Sequence, residues 1–157
     1  MSFALHKISE GLTIEPFNHM VQAILITFMS ENPSSNPLVN AVLDDFDLQN
    51  ALSSIHPAFG DFCTRAAGEA WGKPAVSQRT KAFITIAIDV VNQAVEGPGA
   101  PFEAHLMMAL KQGATYEEIE EVLLFTCVYA GFNKAALAFG RWGEIRARHE
   151  QLAAQQN

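Results

Sequence analysis

One histidine, His105, lies on an otherwise apolar helical stretch, directly after a loop rich in glycine and proline (Glu96–Pro101). An imidazole titrates near neutrality, so it can donate or accept a proton in an acid–base reaction. The beginning of a helix offers free backbone N–H groups and a positive field, and both favour anions. A lone histidine on an apolar helix face is also commonly a packed residue with one hydrogen-bond partner. The residue types alone leave both roles open.

Polar residues also line one side of the preceding helix. Asp89, Asn92, Gln93 and Glu96 follow the spacing i, i+3, i+4 and i+7, so they share a helical face. The simpler interpretation, which the sequence favours, is a solvated surface. The alternative is the polar wall of a pocket opposite His105.

Two further charged residues have a possible functional role and a structural one. Arg79 could bind a substrate carboxylate, and it is equally well explained as a surface residue of its helix. Glu103 lies two positions before His105, about 200° around a helix, so the two side chains do not share a face. We therefore predict that Glu103 supports the first helical turn and is not a catalytic partner.

The elements that must position these residues are all helical. Periodicity, helix caps and Gly/Pro breaks predict an all-α fold, in which Thr115 opens a capping box and Gly72 and Gly113 end helices. The predicted helices are Phe17–Ser30, Leu38–Leu52, Pro57–Trp71, Gln78–Val95, Phe102–Gln112, a helix after Thr115, and Lys134–Glu150.

The composition limits the partners. A chain of 157 residues fits one domain, and its net charge of −7 argues against nucleic-acid binding. The longest apolar run, Val21–Met29, is too short to span a bilayer, and no leader peptide is apparent. Cys63 and Cys127 have neither redox nor metal-ligand spacing, so we expect reduced thiols in a cytoplasmic protein without a metal. The excess of apolar helices predicts buried contacts between subunits.

The stretch PFEAHLMMALKQGATYEEIEEVLLFTCVYAGF (Pro101–Phe132) resembles the carboxymuconolactone decarboxylase family, in the alkylhydroperoxidase D-like superfamily. The similarity lies in H-x-x-x-A-L-x-x-G-A-T-x-E-E-I-x-E-V-L-L and the following VYAGF, and it extends more loosely over Pro57–Gly143. We divide the chain into an N-terminal helical extension packed on the core (1–52), a carboxymuconolactone decarboxylase-like domain (53–150) and a flexible tail (151–157).

The resemblance implies an alkylhydroperoxidase D-like helical bundle that assembles as trimers or hexamers, and it implies one of two chemistries. The redox branch has C-x-x-C followed four residues later by histidine. With His105 at the histidine position, the two cysteine positions fall on Pro98 and Pro101. Proline can supply neither the attacking nor the resolving thiol, so we do not expect this chain to be a thiol peroxidase.

The chain also departs from the decarboxylase branch. The resemblance implies an Arg-Glu pair near the start of the long helix, where Lys81 and Ala82 stand, and a polar residue at the position of Phe125. About four extra residues lie in the loop before His105. The expected pocket is therefore more apolar than that of the relatives and has one acid–base group fewer.

Two functions of different class remain. The first is a cofactor-free lyase that acts on a small carbonyl or lactone acid, with His105 as the proton donor. Its predicted substrate-binding residues are Gly99, Phe102, Phe125, Tyr129, Asn92 and Arg79. The second is a non-catalytic helical oligomer or small-ligand-binding protein of the same fold, which the missing glutamate and thiols would suit.

Overall fold

The computed structural model describes residues 39–97 and 100–155, and every regular element within those ranges is an α-helix. The predicted all-α fold is thereby confirmed for this part of the chain. The helix predicted over Phe17–Ser30 and the site residue Gly99, with Pro98, lie outside the described residues. The helices are α1 (Phe46–Ile55), α2 (Pro57–Trp71), α3 (Gln78–Asn92), α4 (Phe102–Lys111), α5 (Tyr116–Ala130) and α6 (Phe132–Gln155).

The first described residues form a turn where a helix was predicted, so α1 begins at Phe46. The Asn40 side chain accepts hydrogen bonds from the N–H groups two and three residues ahead, both at 3.0 Å. Such local bonds offer the backbone an alternative to a helix. Asp45 then caps α1, and its buried carboxylate pairs with Lys111 at the end of α4, at 3.1 Å. This turn thus ties the start of the described chain to the helix that carries His105.

The core lies among α3, α4, α5 and α6, and α4 is the helix with the largest buried share. Burying a large apolar side chain contributes about 1.5–3 kcal/mol, so these residues provide most of the stability of the bundle. The largest fully buried side chains are Trp142, Phe102, Ile86, Leu106, Ile119, Leu123, Ile145 and Val90. Helices α1 and α2 pack mainly on each other, at a close approach where a Cβ on Gly60 would lie 2.5 Å from the Cα of Ser53.

Local sequence signals explain where α3 and α5 begin and end. Helix α3 stops at Asn92 because Gln93 adopts a left-handed conformation, with φ 57°, three residues before the predicted end at Val95. The capping box at the start of α5 is present as predicted. The Thr115 hydroxyl accepts from the Glu118 N–H at 3.2 Å, and the Glu118 carboxylate accepts from the Thr115 N–H at 2.9 Å.

Helix α6 follows α5 after a single residue, Gly131, whose positive φ of 102° suits glycine. The helix continues to Gln155, five residues beyond the boundary predicted at residue 150. Leu152, in this last stretch, packs against the core, and this contact stabilises the additional turn of the helix. No helix in the described ranges combines the length and the apolar character needed to cross a bilayer. The cytoplasmic location remains a prediction.

Two of the apolar surfaces exposed on the described residues lie on α3 and at the junction of α5 and α6. We call Ile84, Ile88 and Val91 the α3 outer stripe; each is about half exposed, at 49%, 49% and 47%. The second surface, the α5 aromatic stripe, occupies the C-terminal end of α5 and the first residue of α6. Its members are Phe125, Val128, Tyr129 and Phe132, which are 65% to 78% exposed.

Candidate functional site

His105 is paired with a buried carboxylate. Its Nδ1 lies 2.6 Å from Oδ2 of Asp89 on α3. The Asp89 side chain is 5% exposed, whereas that of His105 is 25% exposed. An aspartate held inside the bundle thus orients an imidazole that a small molecule can still reach.

This geometry determines which ring nitrogen is available for chemistry. When its partner carboxylate is ionised and can only accept hydrogen bonds, the imidazole donates from Nδ1. Nε2 is then the nitrogen left to exchange a proton with a substrate. A histidine oriented by a carboxylate in this manner is suited to general acid–base catalysis.

The sequence did not identify the pairing with Asp89, because it favoured a solvated stripe over the alternative of a polar pocket wall opposite His105. Asn92, Gln93 and Glu96 are indeed exposed. Asp89 is buried because it faces the core together with Ala82 and Ile86, at the spacing i, i+4 and i+7. Helix α3 ends at Asn92, so Gln93 and Glu96 no longer follow the helical spacing assumed from the sequence. The apolar residues seven and three positions before Asp89 were the available signal.

The other predicted site residues are placed on different parts of the bundle. Phe102 is fully buried in the core, while Asn92 is exposed at the end of α3. Phe125 and Tyr129 stack on each other, with ring centroids 4.8 Å apart, on the outer side of α5. The role of these four side chains toward a substrate remains a prediction.

Arg79 connects two helices. Its guanidinium forms an ion pair with Glu118 on α5 and lies over the Phe83 ring, 5.7 Å from the centroid. Its Nε is buried and has no hydrogen-bond partner among the described residues. These contacts explain the position of Arg79 by helix packing, and its role toward a substrate remains a prediction.

Glu103 anchors the beginning of α4 to α6. Its carboxylate, 7% exposed, accepts from Arg141 at 2.8 Å and from Arg148 at 2.6 Å. The two carboxylate oxygens therefore each hold one guanidinium, in charge-assisted hydrogen bonds. Because His105 turns toward α3 while Glu103 turns toward α6, the same turn of α4 is fixed from two sides. This is a broader role than the first-turn support predicted from the sequence.

A second histidine, His149, lies near the C-terminal end of α6. Its Nδ1 lies 2.6 Å from the Tyr116 hydroxyl, and the Tyr116 ring also meets Trp142 edge-on and Arg146 face-on. Burial lowers the pKa of His149 below its ordinary value of 6.5, although the charge of Glu150 acts in the opposite direction. Burial, followed by Glu150, raises the pKa of Tyr116. The pair is therefore neutral at neutral pH.

The lowered pKa of His149 predicts a loss of stability on acidification. Below about pH 6.5 the unfolded chain takes up a proton more readily than the folded chain, so unfolding becomes more favourable as the pH falls. His149→Gln removes this titration and retains a hydrogen-bonding side chain for Tyr116. We expect Tm to fall less between about pH 7.5 and 5.5 in the variant than in the wild type. Equal falls in thermal unfolding scans would contradict the prediction.

The described residues do not suggest a metal centre. In residues 39–97 and 100–155, no three side chains of His, Cys, Asp or Glu are placed to hold a metal ion together. Cys63 and Cys127 do not form a disulfide.

Comparison with known proteins adds a family match to this geometry. Residues 57–142 match the Carboxymuconolactone decarboxylase family, and this range includes both Asp89 and His105. The chain is also similar to the 4-carboxymuconolactone decarboxylase of Acinetobacter baylyi (strain ATCC 33305 / BD413 / ADP1). The two are 30% identical over 95 residues, which are 60% of this chain and 68% of the relative. No solved structure matches the chain.

Proposed function

Because the chain belongs to the carboxymuconolactone decarboxylase family, we propose that it is a lyase that decarboxylates a small carbonyl or lactone acid by acid–base catalysis. The observation that carries this proposal is the pair of His105 and Asp89, 2.6 Å apart, with the imidazole partly open and the carboxylate buried. Our preferred test substrate is 4-carboxymuconolactone, since the Acinetobacter relative is named for it.

The reaction requires two tasks from the protein. When the bond to the carboxylate breaks and carbon dioxide leaves, the electron pair moves into the conjugated carbonyl and forms an enolate. A donor must stabilise that oxygen, and an acid must then protonate the carbon. Protonated His105, with Nδ1 held by Asp89, presents Nε2–H for the second task and afterwards regains a proton from solvent.

The beginning of α4 is suited to the first task. The His105 N–H makes the first hydrogen bond of the helix, to the carbonyl of Pro101 at 3.0 Å. The N–H groups of the three preceding residues, Phe102 to Ala104, therefore have no partner within the helix. We propose that these groups, together with the positive end of α4, hold the enolate oxygen. The acid and the oxyanion donors would then belong to one helical turn.

Replacing Asp89 by asparagine tests this arrangement. The amide keeps the shape of the side chain and removes the charge that orients Nδ1–H. We expect kcat for carbon dioxide release from 4-carboxymuconolactone to fall about 10- to 100-fold, the range found for carboxylates that orient metal-bound histidines. Glu96→Gln, the same chemical change at an exposed position, is the control and should leave kcat unchanged. A folded Asp89→Asn protein with full activity would refute the role of the pair.

We also propose that the α5 aromatic stripe packs against a second copy of the chain, in a trimer or hexamer. Apolar side chains that are 65% to 78% exposed over two helical turns are more than a monomeric surface usually carries in one patch. Light scattering of the purified chain should give the mass of a trimer or hexamer, and Val128→Asp should reduce it. Ala66→Asp, on exposed α2, is the control. A monomeric wild type would contradict the proposal.

A further inference from the structure

The α3 outer stripe is an apolar surface that no described residue covers. Ile84, Ile88 and Val91 recur at i, i+4 and i+7, so they form one continuous line along the helix. Asp89, the partner of His105, is carried by the same helix on its buried side. One side of α3 is therefore packed in the core and the other side exposes about half of each of three large side chains.

The part of the chain before residue 39 contains a segment whose composition suits such a surface. Phe17–Ser30 has no Asp, Glu, Lys or Arg, and its central run Val21–Met29 carries apolar residues in nearly every position. A helix that is apolar all round is normally buried, because no face of it is suited to water. The chain thus contains an uncharged apolar segment and, on the described residues of α3, an exposed apolar stripe.

The described chain begins close to one end of the stripe. The Ala41 N–H donates to the side chain of Gln78, the first residue of α3, at 2.9 Å, and the Asn40 amide donates to Gly68 O at 3.0 Å. Ile84 is six residues further along α3, about 9 Å away. The connecting residues 30–38 can extend over about 30 Å, so the stripe is within reach of the apolar run.

The α5 aromatic stripe lies beside the C-terminal end of α3, where the α3 outer stripe ends at Val91. Lys134, in the first turn of α6, donates to the carbonyl of Val91 at 2.7 Å. The junction of α5 and α6 is therefore beside the last turn of α3, whereas the chain enters beside the first. The Ile84 end of the α3 outer stripe is thus the end nearer to the point where the described chain begins.

We propose that the run Val21–Met29 packs on the α3 outer stripe of its own chain. The occupied stripe would cover the outer side of the helix that holds Asp89, and α3 would be enclosed on both sides. The segment lies before residues 57–142, which match the family, so this covering would be a feature added to the family's bundle.

Disulfide trapping in the full-length chain tests the proposal. In a Cys63→Ser, Cys127→Ser background, Ile88→Cys is combined in turn with Ile24→Cys, Leu25→Cys and Ile26→Cys. Three successive helical positions sample about 200° of rotation, so at least one should face Ile88. Mild oxidation should then form a disulfide within one chain, visible as a monomer with altered mobility and identified by mass spectrometry. Ala147→Cys, exposed on α6, replaces Ile88→Cys as the matched control and should not be trapped.

Two results of the trapping experiment would overturn the proposal. One is a disulfide between chains, shown by mixing isotope-labelled and unlabelled protein, which would assign the stripe to a second copy or to an exchanged segment. The other is the absence of any disulfide to Ile88→Cys from all three positions.

Hydrogen exchange provides a measurement that does not depend on cysteine geometry. Amides of residues 20–29 should be protected in the wild type, and Ile88→Asp should increase their exchange rate at least tenfold while α6 stays protected. Ala147→Asp should leave both regions unchanged. Rapid exchange of residues 20–29 in the wild type, or unaltered protection in Ile88→Asp, would overturn the proposal.

Discussion

Replacing His105 by alanine is expected to lower kcat for carbon dioxide release from 4-carboxymuconolactone by about 10²- to 10⁴-fold, the usual contribution of a positioned acid–base group. The variant retains the N–H groups at the start of α4, so substrate binding should be less affected than turnover. Carbon dioxide release should be measured at saturating substrate, so that kcat is separated from KM. The circular dichroism spectrum of the variant shows whether the bundle is intact.

His56→Ala is the matched control, because this exposed histidine lies between α1 and α2 and its side chain does not cap α2. It should retain wild-type activity. Full activity of a folded His105→Ala protein would refute the acid–base role. A wild type that binds the lactone acid and releases no carbon dioxide would instead favour the ligand-binding alternative, which is consistent with Ala82 occupying the position where the resemblance implies a glutamate.

Replacing Phe102 by alanine should lower the free energy of unfolding by about 3–5 kcal/mol. Phe102 is fully buried at the first position of α4, among core side chains, so truncation would leave a cavity under the turn that carries His105. Urea unfolding followed by circular dichroism measures the change. Phe62→Ala, at a position 61% exposed on α2, is the control and should cost less than about 1 kcal/mol.

The same variant tests whether Phe102 faces a substrate, as the sequence predicts. A core residue should affect stability strongly and KM only indirectly. A loss of stability as small as that of Phe62→Ala, together with a large increase in KM, would show that the ring borders a ligand cavity. Phe102→Leu, which fills most of the volume, should restore most of the stability if packing is the main role.

The parts of the fold that were predicted correctly depend on signals within one helix. Thr115 and Glu118 are three residues apart and specify the start of α5 by themselves. The errors arose where a contact or a backbone conformation outside the regular helical pattern decided the outcome. The turn that replaces the start of α1 is held by the bonds that the Asn40 side chain accepts from the next residues and by its bond to Gly68. The extension of α6 beyond residue 150 accompanies the packing of Leu152 on the core.

The candidate site shows the same division. His105 was recognised because its surroundings in the sequence are unusual, and that recognition needed no partner. Its carboxylate, Asp89, is 16 residues away, and the arginines that hold Glu103 are 38 and 45 residues away. These pairings depend on how α3 and α6 pack against α4, which periodicity does not reveal.

The placement of Asp89 has a consequence for how members of this family can diverge. Asp89 and Ala82 are seven residues apart, which is almost a whole number of helical turns, so both face the same side of α3. The resemblance implies a glutamate at Ala82, and this chain instead carries a buried carboxylate on the same side of α3, about 10 Å further along. A comparison of aligned positions alone then records the carboxylate as missing, whereas a comparison of the side chains on one helix face detects it. Inactive members inferred only from an empty column should be reexamined for such relocated groups.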